Sequence, residues 1–496
     1  MLEVRRIVAR RPSFSDHSTN LCLSLVGIRV HRASIVSRPA RQPGSRRGTG
    51  TDESSWGQVD NPRDWPLVSL LEMSTGGDRS LNRSSFVWTF SAYGVVGLSG
   101  LALNWAIVEQ FDVAALGRYN LFVAVVLVGG QLGSVSIHSS ILYHAPEART
   151  LGHSTGQVLS SGLLLTLATS TIATVVIAVA VEVIFGITEN PAYHDGLRAV
   201  LPALLLYPIN KALLSHLNGL RRFRAFSVAF AARFVLLAVF ALIAGFHLKS
   251  EGLLPWTISA TEVLILVVLL LRLRSELVPS GRRVTLEDRY RRHIRFGLRG
   301  FVGGLLLDLN TRVDVLLLGL LAGSRSVGVY SISSLFAESI FQLAMVARYS
   351  YDPVVTTLFV EGRFDELRET IHLAKRRVYL LMVAVIVLAN LAYPIVVGML
   401  FGKGLVRESW PVFALLCSGI AISAGYIPFT NLLQQVEAPG RQSLLLGLVG
   451  GTNVLLNLLL IPPFGIVGAA LATAVAQASF VLYIRFLSRP LLGFSP

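Results

Sequence analysis

The sequence predicts an all-α polytopic membrane protein with about 12 transmembrane helices. Hydrophobic residues fill 53% of its 496 positions and charged residues only 15%, whereas soluble domains carry about 25% charged residues. The mean hydropathy is +0.61. From Phe86 onward, apolar segments follow one another with short polar connections, and each is near the length of about 20 residues that a membrane span requires.

Composition also narrows the function classes. A net charge of +15 would indicate a nucleic-acid partner in a soluble protein. Here the basic residues lie mostly in short loops between apolar segments, where they indicate membrane topology, so we expect no nucleic-acid partner. Cys22 and Cys417 are too far apart in sequence to indicate a disulfide framework or a zinc site. The sequence therefore predicts neither a metal nor another cofactor.

Residues 1–84 differ from the remainder. They are rich in arginine, serine and proline and contain no sustained apolar run, which predicts a disordered cytoplasmic extension. The alternative is that translation starts at Met73. The apolar segments then follow at 86–108, 116–143, 157–186, 197–219, 226–247, 253–273, 298–321, 327–349, 377–401, 410–434, 442–462 and 465–487.

These segments predict two six-helix lobes. Residues 85–273 form the N-terminal lobe, 274–297 a basic connection, 298–488 the C-terminal lobe and 489–496 a cytoplasmic tail. Lysine and arginine are concentrated in alternate loops and in the connection, which predicts that both termini lie in the cytoplasm. The connection is either an amphipathic helix on the inner leaflet or a solvated linker.

A faint internal repeat supports the two lobes. Segment 2 opens with Gly117-Arg118-Tyr119 and segment 8 with Gly328-Val329-Tyr330, 211 residues later. Because each half holds an even number of spans, duplicated halves would be parallel repeats related by an axis along the membrane normal.

The stretch from Leu305 to Arg348 carries unusual charges. A charge at mid-bilayer costs about 2.5–3.5 kcal/mol on insertion scales, so such residues face a bundle interior or a wet cavity. Segment 7 is predicted to be one continuous helix with Asp308 and Arg312 on the same face. The polar residues of the two segments are Asp308, Asn310, Arg312, Asp314, Ser331, Ser334, Glu338 and Gln342.

Several motifs resemble a known family. The run from Asn453 to Thr473, NVLLNLLLIPPFGIVGAALAT, resembles the late-helix signature of polysaccharide-transport flippases. The same holds for Arg312-Val-Asp314 with Gly319, for Val327-Gly-Val-Tyr330 and for Leu116-Gly-Arg-Tyr119. These motifs resemble the Wzx-type O-antigen branch of the multidrug/oligosaccharidyl-lipid/polysaccharide exporter superfamily, over residues 86–487.

The resemblance implies a V-shaped transporter with two lobes around a central cavity. It would move undecaprenyl-diphosphate-linked oligosaccharide from the inner to the outer leaflet of the cell membrane for lipopolysaccharide export. It implies membrane lipids and the lipid-linked oligosaccharide as partners, and a monomer that could associate with polysaccharide polymerase machinery.

Candidate site residues follow from the chemistry of that cargo. A diphosphate needs cations shielded from bulk water, and sugars need hydrogen-bonding groups. The predicted substrate residues are Arg312, Lys211, Arg233, Asn210, Gln131 and His138, and the candidates for H⁺ or Na⁺ coupling are Asp308, Asp314 and Glu338. Structural alternatives stay open: Asp308 could simply neutralise Arg312, Lys211 and Arg233 could pair with other acids, and His138 could be a packing residue.

Two other function classes compete with a flippase. A small-molecule antiporter of the multidrug branch would more often have an acid-dominated cavity. A membrane glycosyltransferase or polymerase would need a sizeable loop with catalytic residues, whereas the connections outside the predicted membrane are short. We therefore expect a transporter and not an enzyme.

Overall fold

The computed structural model describes residues 79–188, 191–277 and 286–496, all within one compact unit, Pro62–Pro496. The predicted 1–84 extension lies almost entirely outside the described residues, as do the Met73 alternative and much of the basic connection. Within the described ranges the secondary structure is helical, with no strand. The predicted all-α fold is confirmed.

The N-terminal lobe comprises the first eight helices. They are α1 (Arg79–Gln110), α2 (Val113–Ser134), α3 (Ile137–Thr150), α4 (Thr155–Thr188), α5 (Pro191–Ala199), α6 (Leu201–Gly219), α7 (Phe223–Leu242) and α8 (Leu254–Leu277). A π-helical turn, Ile243–His247, extends α7. Helix α1 begins seven residues before the predicted first segment, and the predicted second segment is divided into α2 and α3.

The C-terminal lobe comprises the remaining seven helices. They are α9 (Leu286–Asn310), α10 (Val313–Leu321), α11 (Gly323–Val360), α12 (Phe364–Phe401), α13 (Lys403–Ser423), α14 (Leu432–Gln435) and α15 (Pro439–Leu492). Among the described residues, ten helices are long and apolar enough to cross a membrane. Helix α15 bends at Gly465 and holds two predicted segments, and α9–α10 hold the charged seventh one, which agrees with the 12 predicted spans.

The repeated glycines join the lobes at the end predicted to be extracellular. A Cβ atom added at Gly117 would overlap the carbonyl oxygen of Ser324, and one added at Gly328 would overlap that of Val113. These two contacts are related by the same 211-residue offset as the sequence repeat. The faint repeat is therefore a pair of equivalent contacts, in which α2 and α11 approach so closely that only glycine fits.

The buried core shows which end of the molecule is closed. At the end that contains Gly117 and Gly328, one apolar core runs through both lobes. At the opposite end each lobe has a core of its own, around Leu213 in the N-terminal lobe and around Leu432 in the C-terminal lobe. The space between the lobes therefore opens toward the basic loops, which the charge distribution predicts to be cytoplasmic.

Helix α9 links the lobes at this open end. His293 is buried in the N-terminal lobe, with Nε2 donating to the carbonyl oxygen of Val158 (3.1 Å) and Nδ1 2.9 Å from Ser140 Oγ. Burial, with a smaller effect from nearby His144, lowers the pKa of His293 to about 4, so the ring is neutral at physiological pH. The first half of α9 is thus held by the N-terminal lobe, although its second half belongs to the C-terminal lobe.

Candidate functional site: a polar centre between the lobes

Lys211 and Asp308 form an ion pair that crosses between the lobes. Lys211 Nζ on α6 lies 3.2 Å from Asp308 Oδ2 on α9 and donates to Gln131 Oε1 on α2 (2.9 Å). The two charged side chains are 24% and 31% exposed, so they line the space between the lobes. Asp308 therefore pairs with Lys211, whereas the sequence had suggested Arg312 as its partner.

The polypeptide breaks its helix beside this pair. Val135 and Ser136 both have positive φ angles, 43° and 55°, which non-glycine residues rarely adopt. Gln131 Nε2 donates to Ser136 Oγ (3.2 Å) across the break. Helix α9 packs against it through Gly304, where an added Cβ would lie 2.5 Å from Gln131 Nε2. The break thus turns the Gln131 amide toward Lys211 and α9.

His138 lies at the start of α3, directly after the break. Its Nδ1 is 2.9 Å from Ser134 Oγ and its Nε2 is 3.1 Å from Ser139 Oγ. The ring also interacts electrostatically with Lys211. Three of the predicted substrate residues, Gln131, His138 and Lys211, therefore lie together, and Asp308 closes the group from the other lobe.

Arg233 and Asn210 lie elsewhere, inside the N-terminal lobe. Arg233 is 8% exposed, and its Nε is 2.9 Å from Glu262 Oε1 on α8. Asn210 Nδ2 donates to Glu262 Oε2 (2.8 Å), and the guanidinium lies 4.9 Å from the centre of the Tyr207 ring. Each predicted substrate residue here has an internal partner, because Glu262 supplies the matching charge. Their geometry suits bracing of α6, α7 and α8.

Arg312 occupies a second break, between α9 and α10. The Thr311 hydroxyl donates to the carbonyl oxygen of Asp308 (2.8 Å), and this local bond competes with a continuous helix. The prediction of one helix over 298–321 is therefore wrong at Thr311 and Arg312. Because the helix restarts at Val313, Arg312 and Asp308 do not share one helical face.

Four acidic or hydroxyl side chains lie near the point where the helix restarts. Tyr330 on α11 donates a hydrogen bond to Asp314 and lies 3.3 Å from Thr473 Oγ1 on α15. Arg312 interacts electrostatically with Asp314 and with Glu338, whose side chain is exposed. Among the residues that the structure describes, no group hydrogen-bonds the buried Nε of Arg312. The guanidinium therefore keeps one buried donor that no described group satisfies.

Hydrogen-bonded asparagine side chains form a ladder on the side of the polar centre that belongs to the C-terminal lobe. Asn453 Nδ2 on α15 reaches Asn310 Oδ1 at 3.4 Å, and Asn457 Nδ2 donates to Asn453 Oδ1 at 2.9 Å. Such a ladder is typical of polar side chains that pack helices together. The sequence alone did not predict Tyr330 as the partner of Asp314, although the Gly-x-Tyr repeat marked this tyrosine.

These features are typical of a two-lobed membrane transporter in which the space between the lobes is open at one end. Comparison with known proteins narrows this class further. Residues 117–359 match the family model described as "Polysaccharide biosynthesis protein", and no curated protein matches the chain.

Solved structures share the fold. The lipid II flippase MurJ in an inward closed conformation is 13% identical, with a TM-score of 0.63 over 81% of this chain and 87% of its own. An inward-facing MATE multidrug resistance transporter of the MOP superfamily is 14% identical, with a TM-score of 0.62 over 80% and 95%. A MOP transporter from Pyrococcus furiosus is 14% identical, with a TM-score of 0.60 over 86% and 99%. The resemblance predicted from the sequence is thus supported by the family match over residues 117–359 and, at the level of the fold, by these solved structures.

Proposed function

We propose that the protein is a flippase that moves an undecaprenyl-diphosphate-linked oligosaccharide from the inner to the outer leaflet for polysaccharide or O-antigen export. The observation that carries the proposal is the polar centre, where the Lys211–Gln131–Asp308 group and the Arg312 group face the same space between the lobes. Amide and hydroxyl groups suit a glycan, and guanidinium and ammonium groups suit phosphate.

The open end supports loading from the cytoplasmic leaflet in this proposal. The lobes meet at Gly117 and Gly328 and separate at the basic end, so a cargo from the cytoplasmic leaflet can reach the centre in this conformation. Transport then requires the glycine contact to open while the lobes close around α9. In this proposal both termini lie in the cytoplasm, and the protein resides in the inner membrane as a monomer that associates with polysaccharide polymerase machinery.

The acidic side chains of the C-terminal lobe, Asp308, Asp314 and Glu338, are suitable sites for a coupling ion. Asp308 is held by Lys211, and Glu338 is exposed and interacts with Arg312. Asp314 is bonded by Tyr330 and lies near the helix start at Val313, where a carboxylate is favoured by the helix dipole. We infer that H⁺ or Na⁺ acts on these three carboxylates, with Asp314 best placed to link α10, α11 and α15.

A second candidate is export of a small cation by the multidrug mode. It is favoured by one observation: the centre holds three acids, Asp308, Asp314 and Glu338, beside two cations. The two candidates differ in what accumulates when the protein is absent.

Deletion of the gene in its own host tests the proposal. We expect loss of surface glycan and build-up of lipid-linked oligosaccharide on the cytoplasmic leaflet, restored by the wild-type gene and not by Arg312→Ala. The cells should show no greater sensitivity to cationic dyes. Unchanged surface glycan together with dye sensitivity would instead establish the multidrug mode.

A further inference from the structure

The cytoplasmic half of α9 carries charges that the polar centre does not use. His293 and Gly297 face the N-terminal lobe, where an added Cβ on Gly297 would lie 2.6 Å from the carbonyl oxygen of Val135. On the other side of the helix, Arg295 and Arg299 are exposed. They are one turn apart, so they form a column along the helix. Neither forms an ion pair with any residue whose side chain the structure describes.

An apolar column runs beside these arginines. Ile294, Leu298 and Val302 are spaced four residues apart and are 45%, 61% and 62% exposed. An exposed apolar column next to a cationic one suits the membrane interface, with acyl chains along the first and phosphates along the second.

Helices α9 and α15 separate at this level. Higher up they touch: an added Cβ on Gly450 would lie 3.7 Å from Asn310 Oδ1, and one on Gly447 would lie 4.0 Å from Leu306. One turn lower on α9, an added Cβ on Gly303 meets nothing within 4 Å, and Leu444 on α15 is 51% exposed. The two helices therefore diverge toward the cytoplasmic end.

We propose that this opening between α9 and α15 is where the lipid-linked substrate first binds, with Arg295 and Arg299 holding its diphosphate. The inference rests on the proposed flippase function and adds a binding site to it. The polar centre has two cations beside three acids, so a diphosphate that arrives from headgroup level needs further cations at the opening. Among the residues whose side chains the structure describes, no acid pairs with the two guanidinium groups, and each can bind phosphate oxygens in a bidentate manner.

In this arrangement the diphosphate, the glycan and the lipid tail of the substrate each contact a different part of the protein. A diphosphate attached to a membrane lipid stays near headgroup depth, where the arginine column lies. The glycan beyond it reaches upward toward Asn310 and Lys211, about two to three turns farther along α9 at 5.4 Å per turn. The lipid tail remains in the bilayer along Leu298 and Val302.

The test uses the full chain in proteoliposomes with a fluorescent polyprenyl-diphosphate oligosaccharide. For Arg295→Gln/Arg299→Gln we expect the half-saturating lipid fraction to rise at least about fivefold, with a maximal rate within about twofold of wild type. The lysine pair, Arg295→Lys/Arg299→Lys, should give an intermediate shift because the charge remains and the fork is lost. The matched control is Arg272→Gln/Arg274→Gln, which removes two exposed charges from the cytoplasmic end of α8, and it should behave as wild type.

Competitors identify the ligand. Polyprenyl diphosphate without sugar should compete in wild type and lose that effect in the glutamine pair. Equal competition by phosphatidylglycerol or by soluble pyrophosphate would overturn a site for a lipid-anchored diphosphate. An equal shift in the α8 control would reduce the effect to general surface charge and would also overturn it.

A second measurement tests the opening by cysteine labelling and does not depend on the folding of the arginine variants. With Cys22 replaced by serine and Cys417 buried, Val302→Cys or Leu444→Cys labelled with a bulky maleimide should block transport, whereas labelled Val268→Cys on the exposed face of α8 should not. Transport that continues in both labelled α9 and α15 variants would overturn the opening. Inactivity of the unmodified wild type on every lipid would instead contradict the proposed function.

Discussion

Arg312→Ala is expected to reduce export to background while the protein still reaches the membrane in normal amount. Arg312→Lys should keep a small part of the activity, since lysine retains the charge and loses the planar fork that binds two oxygens at once. The reason lies in the site: the Arg312 Nε has no described hydrogen-bond partner, and the guanidinium lies near Asp314 and Glu338 at the restart of the helix.

The matched control is Arg325→Ala. Arg325 lies near the start of α11 in an exposed ion pair with Glu408, 2.8 Å apart, and an exposed pair contributes only about 0–1 kcal/mol. Export by this variant should remain within about twofold of wild type. Surface glycan and membrane abundance are measured for all three variants. Normal export by Arg312→Ala would remove Arg312 from the substrate site.

The second large effect is expected at the pair between the lobes. Lys211→Leu and Asp308→Leu should each lower export at least about tenfold and lower the melting temperature, because each strands the opposite charge in a partly buried site. The double variant strands neither charge, so its melting temperature should return close to wild type. Export should stay low, because Lys211 and Gln131 also serve the substrate in our proposal.

The outcome of this cycle separates two roles. Recovery of both melting temperature and export in the double variant would make the pair a structural tie without a substrate contact. A melting temperature that stays low would show that the two charges act independently, against the 3.2 Å contact. The comparison requires matched expression and the same detergent.

Much of the fold follows from local sequence properties. Apolar length predicts the spans, and the Gly-x-Tyr repeat marks Gly117 and Gly328, because only glycine allows the two backbones to approach so closely. The polar character of the centre is also visible, since mid-membrane charges such as Asp308 are costly unless they face an interior.

The partners of the charged side chains could not be predicted from the sequence. Lys211 and Asp308 are 97 residues apart, and Arg233 meets Glu262 through the packing of α7 against α8, so both pairs depend on tertiary contacts. The helix breaks at Ser136 and Arg312 carry neither glycine nor proline. At the second break the Thr311 hydroxyl bonds the carbonyl oxygen of Asp308. At the first break Ser136 bonds the Gln131 side chain. Helical periodicity shows neither contact.

The most direct test of the central claim is transbilayer movement by the purified protein. In proteoliposomes that contain a fluorescent undecaprenyl-diphosphate oligosaccharide, we predict that wild type exposes the lipid to an outer-leaflet quencher faster than Arg312→Ala and faster than protein-free vesicles. A proton or sodium gradient should change that rate. Movement no faster than in protein-free vesicles, together with gradient-driven transport of a cationic dye, would contradict the account.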